Sequence, residues 1–202
     1  MIVARWMTKE PIAVESNDNL AAAGHKMDKG NFHRIPVIDG GKLVGIVSDR
    51  DLRQHVGSLE HVKVNAAMAA TVVTVTPATM IEQAAHLLVK HKIGGMPVVD
   101  QGRVVGIITA TDLLRAFAEV LGASEEGVAR IDLALPGDPG EVATVAQLVA
   151  SENGEILGMG TYRGESEEGR GQVLYVRLRS ADAQRVARML NEKNFTVLSI
   201  HP

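Results

Sequence analysis

Two seven-residue stretches carry the most specific chemistry in this chain. Gly45 to Asp51 reads G-I-V-S-D-R-D and Gly106 to Asp112 reads G-I-I-T-A-T-D, so both fit Gly-apolar-apolar-[Ser/Thr]-x-x-Asp. Each lies where an apolar run hands over to a helical pattern. A carboxylate there accepts two hydrogen bonds, the number a vicinal ribose diol offers. The hydroxyl three residues earlier and the free N–H groups of a helix start suit a phosphate. The apolar run gives an adenine ring a dry wall. Ser48, Asp51, Thr109 and Asp112 are therefore candidate nucleoside ligands. The same spacing also makes a helix-capping box, in which hydroxyl and carboxylate tie off orphan N–H groups, and the motif alone leaves both roles open.

The two stretches lie 61 residues apart because the first half of the chain is written twice. At that shift Met7 falls on Met68, His25 on His86, Pro36-Val37 on Pro97-Val98, Asp39 on Asp100 and Asp51-Leu52 on Asp112-Leu113. Two copies of one unit imply two lobes about a pseudo-twofold axis, with any site occurring in pairs.

Each copy needs the same elements to position its motif. In the first, Ile12 to Val14 is an apolar stub, and Ser16 to Asn19 is a polar cluster suited to a helix start. Leu20, Ala23 and Met27 recur at helical spacing, and Gly30-Asn31 stops the helix. Ile35 to Ile38 and Leu43 to Val47 are strands joined by the tight turn Asp39-Gly40-Gly41. A second helix begins near Asp49 and carries Leu52 and Val56. The second copy repeats this, with Thr79 to Glu82 as a capping box ahead of its first helix. Strand, helix, strand, strand, helix is a marginal unit alone. Pairing the copies through Leu43–Val47 and Val104–Ile108 solves that and leaves two related clefts.

The copies differ in charge. Arg34 and Arg50 stand where the second copy has Gly95 and Thr111. Arginine forks are good phosphate ligands, so the Asp51 cleft is expected to prefer phosphorylated ligands. Gly94-Gly95 would let backbone approach closely, and the Asp112 cleft is expected to take a less charged ligand or none.

From Val128 the pattern changes, after a small acidic stretch, Gly122 to Gly127, that reads as a linker. A strand over Arg130 to Leu135, the turn Pro136 to Gly140, a helix carrying Val142 to Val149 and a hairpin of Ile156–Tyr162 with Gln172–Leu178 follow. The hairpin is crossed by a glycine-rich acidic loop, Gly164 to Gly171. A helix at Val186–Leu190 and a strand at Phe195–Ile200 complete a strand-helix-strand-strand-helix-strand order, which is ferredoxin-like.

Composition excludes several classes. Net charge is −3, with 13 basic against 12 acidic residues through Gly122 and 8 against 12 beyond it, so no basic excess serves a phosphate backbone. Aromatics are 3%, too few for base-stacking platforms. Cysteine is absent, which removes disulfides and thiol chemistry. No stretch nears the roughly 20 apolar residues of a membrane span, and no leader pattern opens the chain, so the expected location is cytoplasmic. His86 and His91 are five apart and far around a helix from each other, so no metal site is expected. His25 and His86 read as structural. Trp6 either packs or lies near the first cleft. No nucleophile, base and oxyanion hole assemble, so no catalytic residues are assigned.

The two I/M-P-V-x-D-x-G runs (Ile35 to Gly41, Met96 to Gly102), the two Gly-apolar-apolar-[Ser/Thr]-x-x-Asp ends and the Met that leads each copy together resemble the cystathionine-β-synthase (CBS) domain, in the tandem arrangement called a Bateman module. The resemblance covers residues 1 to about 120. It implies adenosine-containing ligands (AMP, ADP, ATP or S-adenosylmethionine), ribose on Asp51 and Asp112, and Ser48 and Thr109 at phosphate or ribose. The C-terminal third resembles the ACT domain, which implies an amino-acid site at the first strand-to-helix turn, here Gly137, Asp138 and Gly140. The same turn also makes a sound helix start unaided, with Asp138 as N-cap and Pro139 following. CBS repeats followed by ACT resemble the acetoin-utilisation protein B (AcuB) group. The expected architecture is thus α/β (α+β): CBS repeats at 1–60 and 61–121, a linker at 122–127 and an ACT-like domain at 128–202. The expected role is a non-catalytic sensor, a homodimer acting through the ACT domain or a regulated partner protein and requiring no cofactor. The alternatives are an amino-acid sensor on a CBS scaffold, or a ligand-free interaction module.

Overall fold

A computed structural model describes residues 1–122, 126–135, 140–166, 169–179 and 182–201, and the backbone alone of residues 165, 166, 169 and 170. The chain divides into two units, Met1–Ala116 and Phe117–Pro202. Residues 123–125 of the expected linker and residues 136–139 of the expected amino-acid turn lie outside the described residues.

The first unit runs β1 (Thr8–Lys9), α1 (Leu20–Gly30), β2 (Arg34–Asp39), β3 (Lys42–Ser48), α2 (Asp49–Arg53), α3 (Val64–Ala67), α4 (Ile81–His91), β4 (Gly95–Asp100) and β5 (Arg103–Thr109), and α5 (Ala110–Val120) starts within it. Local chemistry sets the boundaries. Asn19 caps α1 by accepting the Ala22 N–H at 2.8 Å, and Asn31 ends it in the left-handed conformation at φ 50°. The β2–β3 turn needs positive φ at both Gly40 and Gly41, and Gln101 and Gly102 repeat it between β4 and β5.

Two expectations change here. The N-cap of α4 is Met80, whose N–H is accepted by the Gln83 side chain at 3.4 Å. Thr79 instead closes the preceding turn by accepting the Thr76 N–H at 3.0 Å. Helix α2 stops at Arg53, leaving Val56 78% exposed, whereas its counterpart α5 runs eleven residues. Gln54 caps the first and turns follow through Gly57, at φ 91°, while Ala116-Phe117-Ala118 carries the second onward.

The two lobes exchange their leading segments. Strand β1 pairs with β5 (Thr8↔Ile107), and Ala69, 61 residues later, bridges Ile46 on β3. The same symmetry holds in the backbone: Val3 N–H donates to Thr79 O at 2.8 Å, and Val64 N–H to Asp18 O at 2.9 Å. The first lobe's core accordingly joins Leu20, Met27, Ile35, Val37 and Val47 to Val64 from the second copy's leader. Each such fully buried aliphatic contributes about 1.5–3 kcal/mol. The repeated motif glycines make the exchange possible. Any Cβ on Gly106 would meet the Met7 sulfur at 2.5 Å, and one on Gly45 would meet that of Met68.

In the second unit β6 (Val128–Leu135), α6 (Glu141–Ser151), β7 (Glu155–Ser166), β8 (Gly169–Arg179), α7 (Ala183–Glu192) and β9 (Val197–His201) form a four-stranded antiparallel sheet in the order β7-β8-β6-β9. Ile131, Leu133, Leu174, Val176 and Leu178 bury one face with Val145, Val149, Val186 and Leu190 of the helices. The glycine-rich segment expected as a loop is largely ladder, with Gly164↔Gly171 and Glu165↔Arg170 in register. Glycine weakens a strand without breaking its pairing, and the flanking strands carry the register onward. On the other face Asp132, only 6% exposed, accepts Arg130 Nε at 2.6 Å and the Tyr162 hydroxyl at 2.9 Å.

Candidate functional site

Asp51 and Asp112 both cap through a single carboxylate oxygen. Asp51 Oδ2 accepts the Ser48 N–H at 2.8 Å and its hydroxyl at 2.7 Å. Asp112 Oδ2 accepts the Thr109 N–H at 2.9 Å and its hydroxyl at 2.6 Å. Oδ1 of Asp51 has no hydrogen-bond partner among the described residues, and Oδ1 of Asp112 lies 3.6 Å from Arg115 Nη1. The capping and ligand readings are therefore compatible within one carboxylate. The hydroxyls bear on the expected choice between phosphate and ribose. Their protons are given to the aspartates, so Ser48 and Thr109 offer acceptor oxygens, which suit a ribose hydroxyl better than a phosphate.

Each aspartate opens onto a cleft of ligand size. The Asp112 cleft, about 650 Å³, is walled by Thr8, Glu10 to Ile12 and Asn31 to Arg34, with Thr109 and Thr111 beside the carboxylate. The Asp51 cleft, about 450 Å³, is walled by Ala69, Thr71 to Val73 and Lys92 to Gly95, with Ser48 and Arg50 beside the carboxylate. Shifted by 61, these walls correspond position by position. Each cleft thus takes its aspartate from one copy and its wall from the other, a consequence of the exchanged leaders. The walls, including Glu10, Phe32 and Lys92, are what sequence reasoning missed. The segments that cross are Thr8–Lys9 and Ala69, just after the repeated methionines, while the apolar stubs stay with their own copies, Val14 bridging Val37 and Val75 bridging Val98.

That arrangement corrects the placement of Arg34 and of the paired glycines. Arg34 lines both clefts, not the Asp51 cleft alone. Gly94 also lines both, and Gly95 lines the Asp51 cleft. Their missing side chains make room for Arg34, since a Cβ on Gly95 would lie 2.7 Å from Arg34 Nη1. Burial lowers the Arg34 pKa from its ordinary value, with the Asp49 carboxylate partly opposing the shift. Arg50 is in the Asp51 cleft as expected, joined there by Arg53 and Lys92. The Asp51 cleft therefore sets four cations against Asp49 and Asp51. The Asp112 cleft sets Arg34 against Glu10 and Asp112.

The remaining expected residues stay apart from the clefts. Trp6 lines neither cleft; Arg5 stacks 5.4 Å from its ring, and its indole N–H is buried without a partner. His25 and His86 are exposed on their helices instead of structural. Among the described residues no three His, Asp or Glu side chains converge to hold a metal, and no helix is long and apolar enough to cross a membrane. Gly140 precedes the first residue of α6, while Gly137 and Asp138 lie outside the described residues.

The CBS domain family model matches residues 3–58 and 63–119, covering both clefts. The chain belongs to the CBS-domain family. A CBS domain-containing protein of Dictyostelium discoideum is 32% identical over 136 residues, 60% of this chain and 94% of that protein. The chain spans only 47% and 23% of two Methanocaldococcus jannaschii relatives, the second an L-aspartate semialdehyde sulfurtransferase. Among solved structures, the CBS domain pair of protein MJ0100 in complex with 5′-methylthioadenosine and S-adenosyl-L-methionine is 31% identical at a TM-score of 0.56, covering 62% of this chain and 98% of that one. A putative acetoin utilization protein (AcuB) from Vibrio cholerae is 32% identical at 0.56, covering 62% and 96%. CBSX2 in complex with AMP is 28% identical at 0.53, covering 59% and 98%. This CBS pair therefore shares its fold with pairs solved around adenosine-containing ligands.

Proposed function

We propose that the protein is a non-catalytic sensor whose CBS pair binds adenosine-containing ligands in the Asp51 and Asp112 clefts. One observation carries this reading. Two symmetry-related clefts each hold an aspartate whose Oδ2 is committed to a cap and whose Oδ1, paired in Asp112 with Arg115 at 3.6 Å, can accept ribose hydroxyls. Charge divides the ligands between them. The Asp51 cleft takes the phosphorylated member (AMP, ADP or ATP) through Arg50, aided by Arg53, Lys92 and Arg34. The Asp112 cleft, lined by Arg34, Glu10 and an Asp112 that pairs with Arg115, has fewer cations than the Asp51 cleft and takes a neutral or cationic ligand such as S-adenosylmethionine, whose sulfonium is positive.

The C-terminal unit, residues 128–202, is in this reading a ferredoxin-like ACT domain. Its element order and the sheet order β7-β8-β6-β9 support that. Two repeats (1–60 and 61–121), a linker (122–127) and this domain make an AcuB-type regulator. It works as a homodimer, and occupancy of the clefts passes to the ACT domain or to a partner protein. Linkage then requires that partner and ligand change each other's affinity by the same factor.

A thermal-shift panel of AMP, ADP, ATP, S-adenosylmethionine and the amino acids tests the assignment. A ligand at 100 times its dissociation constant adds about 2.7 kcal/mol. Shifts with adenosine compounds alone support the proposal. A shift with an amino acid alone moves sensing to the second unit, and silence throughout refutes a small-molecule sensor.

A further inference from the structure

We propose that Arg34 is a single phosphate clamp shared by both clefts, so that a phosphorylated ligand in one cleft weakens binding of a second in the other. This rests on the reading of the clefts as adenosine-ligand sites and concerns how they regulate each other.

Arg34 sits where the pseudo-symmetry must break. Its counterpart is Gly95, and its guanidinium packs on Gly94 and Gly95, the residues that face it across the axis. A Cβ on Gly95 would meet Arg34 Nη1 at 2.7 Å and the Ile108 carbonyl oxygen at 3.0 Å. One side chain fits there and two do not, so a doubled module carries one arginine for two clefts. That arginine lines both. Among the described residues it donates no hydrogen bond and forms no ion pair within 4.0 Å, so its fork stays available.

The clefts do not depend on it equally. A phosphate in the Asp51 cleft meets Arg50 and Lys92 as well, beside Arg53, whose Nη1 donates to Asp49 Oδ2 at 2.9 Å. In the Asp112 cleft Arg34 is the sole arginine or lysine of the lining among the described residues, Glu10 opposes an anion, and Asp112 is itself paired with Arg115 at 3.6 Å. A guanidinium presents one rigid donor fork and grips one phosphate bidentately at a time. A phosphate in the Asp51 cleft that engages Arg34 leaves the Asp112 cleft without its lining arginine, and linkage makes the penalty mutual. Adenosine, lacking phosphate, makes no such claim on Arg34. Losing a hydrogen bond to a charged group is worth roughly tenfold to a hundredfold in affinity.

Calorimetric titration of the full chain with AMP and with adenosine tests this, using Asp51→Ala and Asp112→Ala to isolate each cleft. The second AMP is expected to bind the wild type about tenfold to a hundredfold more weakly than it binds the matching single-cleft variant. With adenosine the two events should remain independent. In Arg34→Ala the AMP antagonism disappears, and in Arg34→Lys, which keeps a charge in the same place, part of it returns. Antagonism that persists in Arg34→Ala, or that adenosine shows equally, overturns the proposal. Adenosine filling both clefts while AMP binds without antagonism overturns the role of Arg34 alone. No binding of either compound removes the adenosine reading and this proposal with it.

Discussion

Replacing Asp112 separates its two roles, because one of them exists without any ligand. Asp112 is 6% exposed, and its Oδ2 accepts the N–H and hydroxyl of Thr109 at 2.9 and 2.6 Å at the start of α5. In Asp112→Ala both donors lose their acceptor and the first turn of the helix loses its carboxylate. Loss of an N-cap interaction costs about 0.5–2 kcal/mol, and hydrogen bonds to a buried charge raise that, so about 2–3 kcal/mol is expected. Asp112→Asn keeps a carbonyl oxygen for the N–H and should cost about 1 kcal/mol. Asp51→Ala removes the same bonds at a half-buried position and should fall between them. For the unit Met1–Ala116, with about 2.1 cal/mol/K of unfolding entropy per residue, 2 kcal/mol corresponds to a shift of about 8 °C. Scanning calorimetry of the ligand-free proteins reads the order directly. Ligand-free Asp112→Ala melting with the wild type, or Asp112→Asn costing as much as the alanine, would refute the argument. It follows that ligand effects on these variants must be read as shifts from each variant's own ligand-free midpoint.

Three further outcomes follow from the geometry. Gly106→Ala places a methyl 2.5 Å from the Met7 sulfur and should cost about 1–3 kcal/mol in urea unfolding. Adding Met7→Ala should recover part of that loss, and strictly additive costs would contradict the contact. Hydrogen bonding to Asp132 holds the Tyr162 phenol above its ordinary pKa of 10.0, with Arg130 opposing. In an ultraviolet titration of a Tyr175→Phe background, Asp132→Asn should lower that step, and an unmoved step would refute the pairing. Hydrogen bonding from Ser16, side chain first and then N–H, lowers the Asp39 pKa from 3.8. The stability this carboxylate contributes is present above pH 3.8 and is lost as pH falls through its lower folded value. Asp39→Asn should therefore flatten the acid limb of the stability curve, and an unchanged limb would show that the bond contributes nothing.

Much of the CBS pair was legible because its signals are local and occur twice. Asn19 and Asn31 bound α1 where a polar cap and a left-handed stop are expected, and Gly40-Gly41 makes a turn that few other residues tolerate. The walls of the clefts were not legible. Which lobe the segments after Met7 and Met68 join is decided by long-range packing of those methionines on Gly106 and Gly45, and spacing says nothing of that. Arg34 was misplaced for the same reason, since its reach across the axis depends on what faces it. Gly57, in the turns that follow α2, shows that α2 cannot run as far as α5, and the parallel between the copies obscured it. In the second unit alternation gave the element order, while the glycines of Gly164 to Gly171 suggested a loop where paired strands continue.

The central claim is that each aspartate serves one adenosine site. Counting adenosine sites per chain by calorimetric titration in the wild type, Asp51→Ala and Asp112→Ala tests it most directly. Two sites in the wild type and one in each variant is the expected result. Two sites in all three proteins, or none in the wild type, would contradict it.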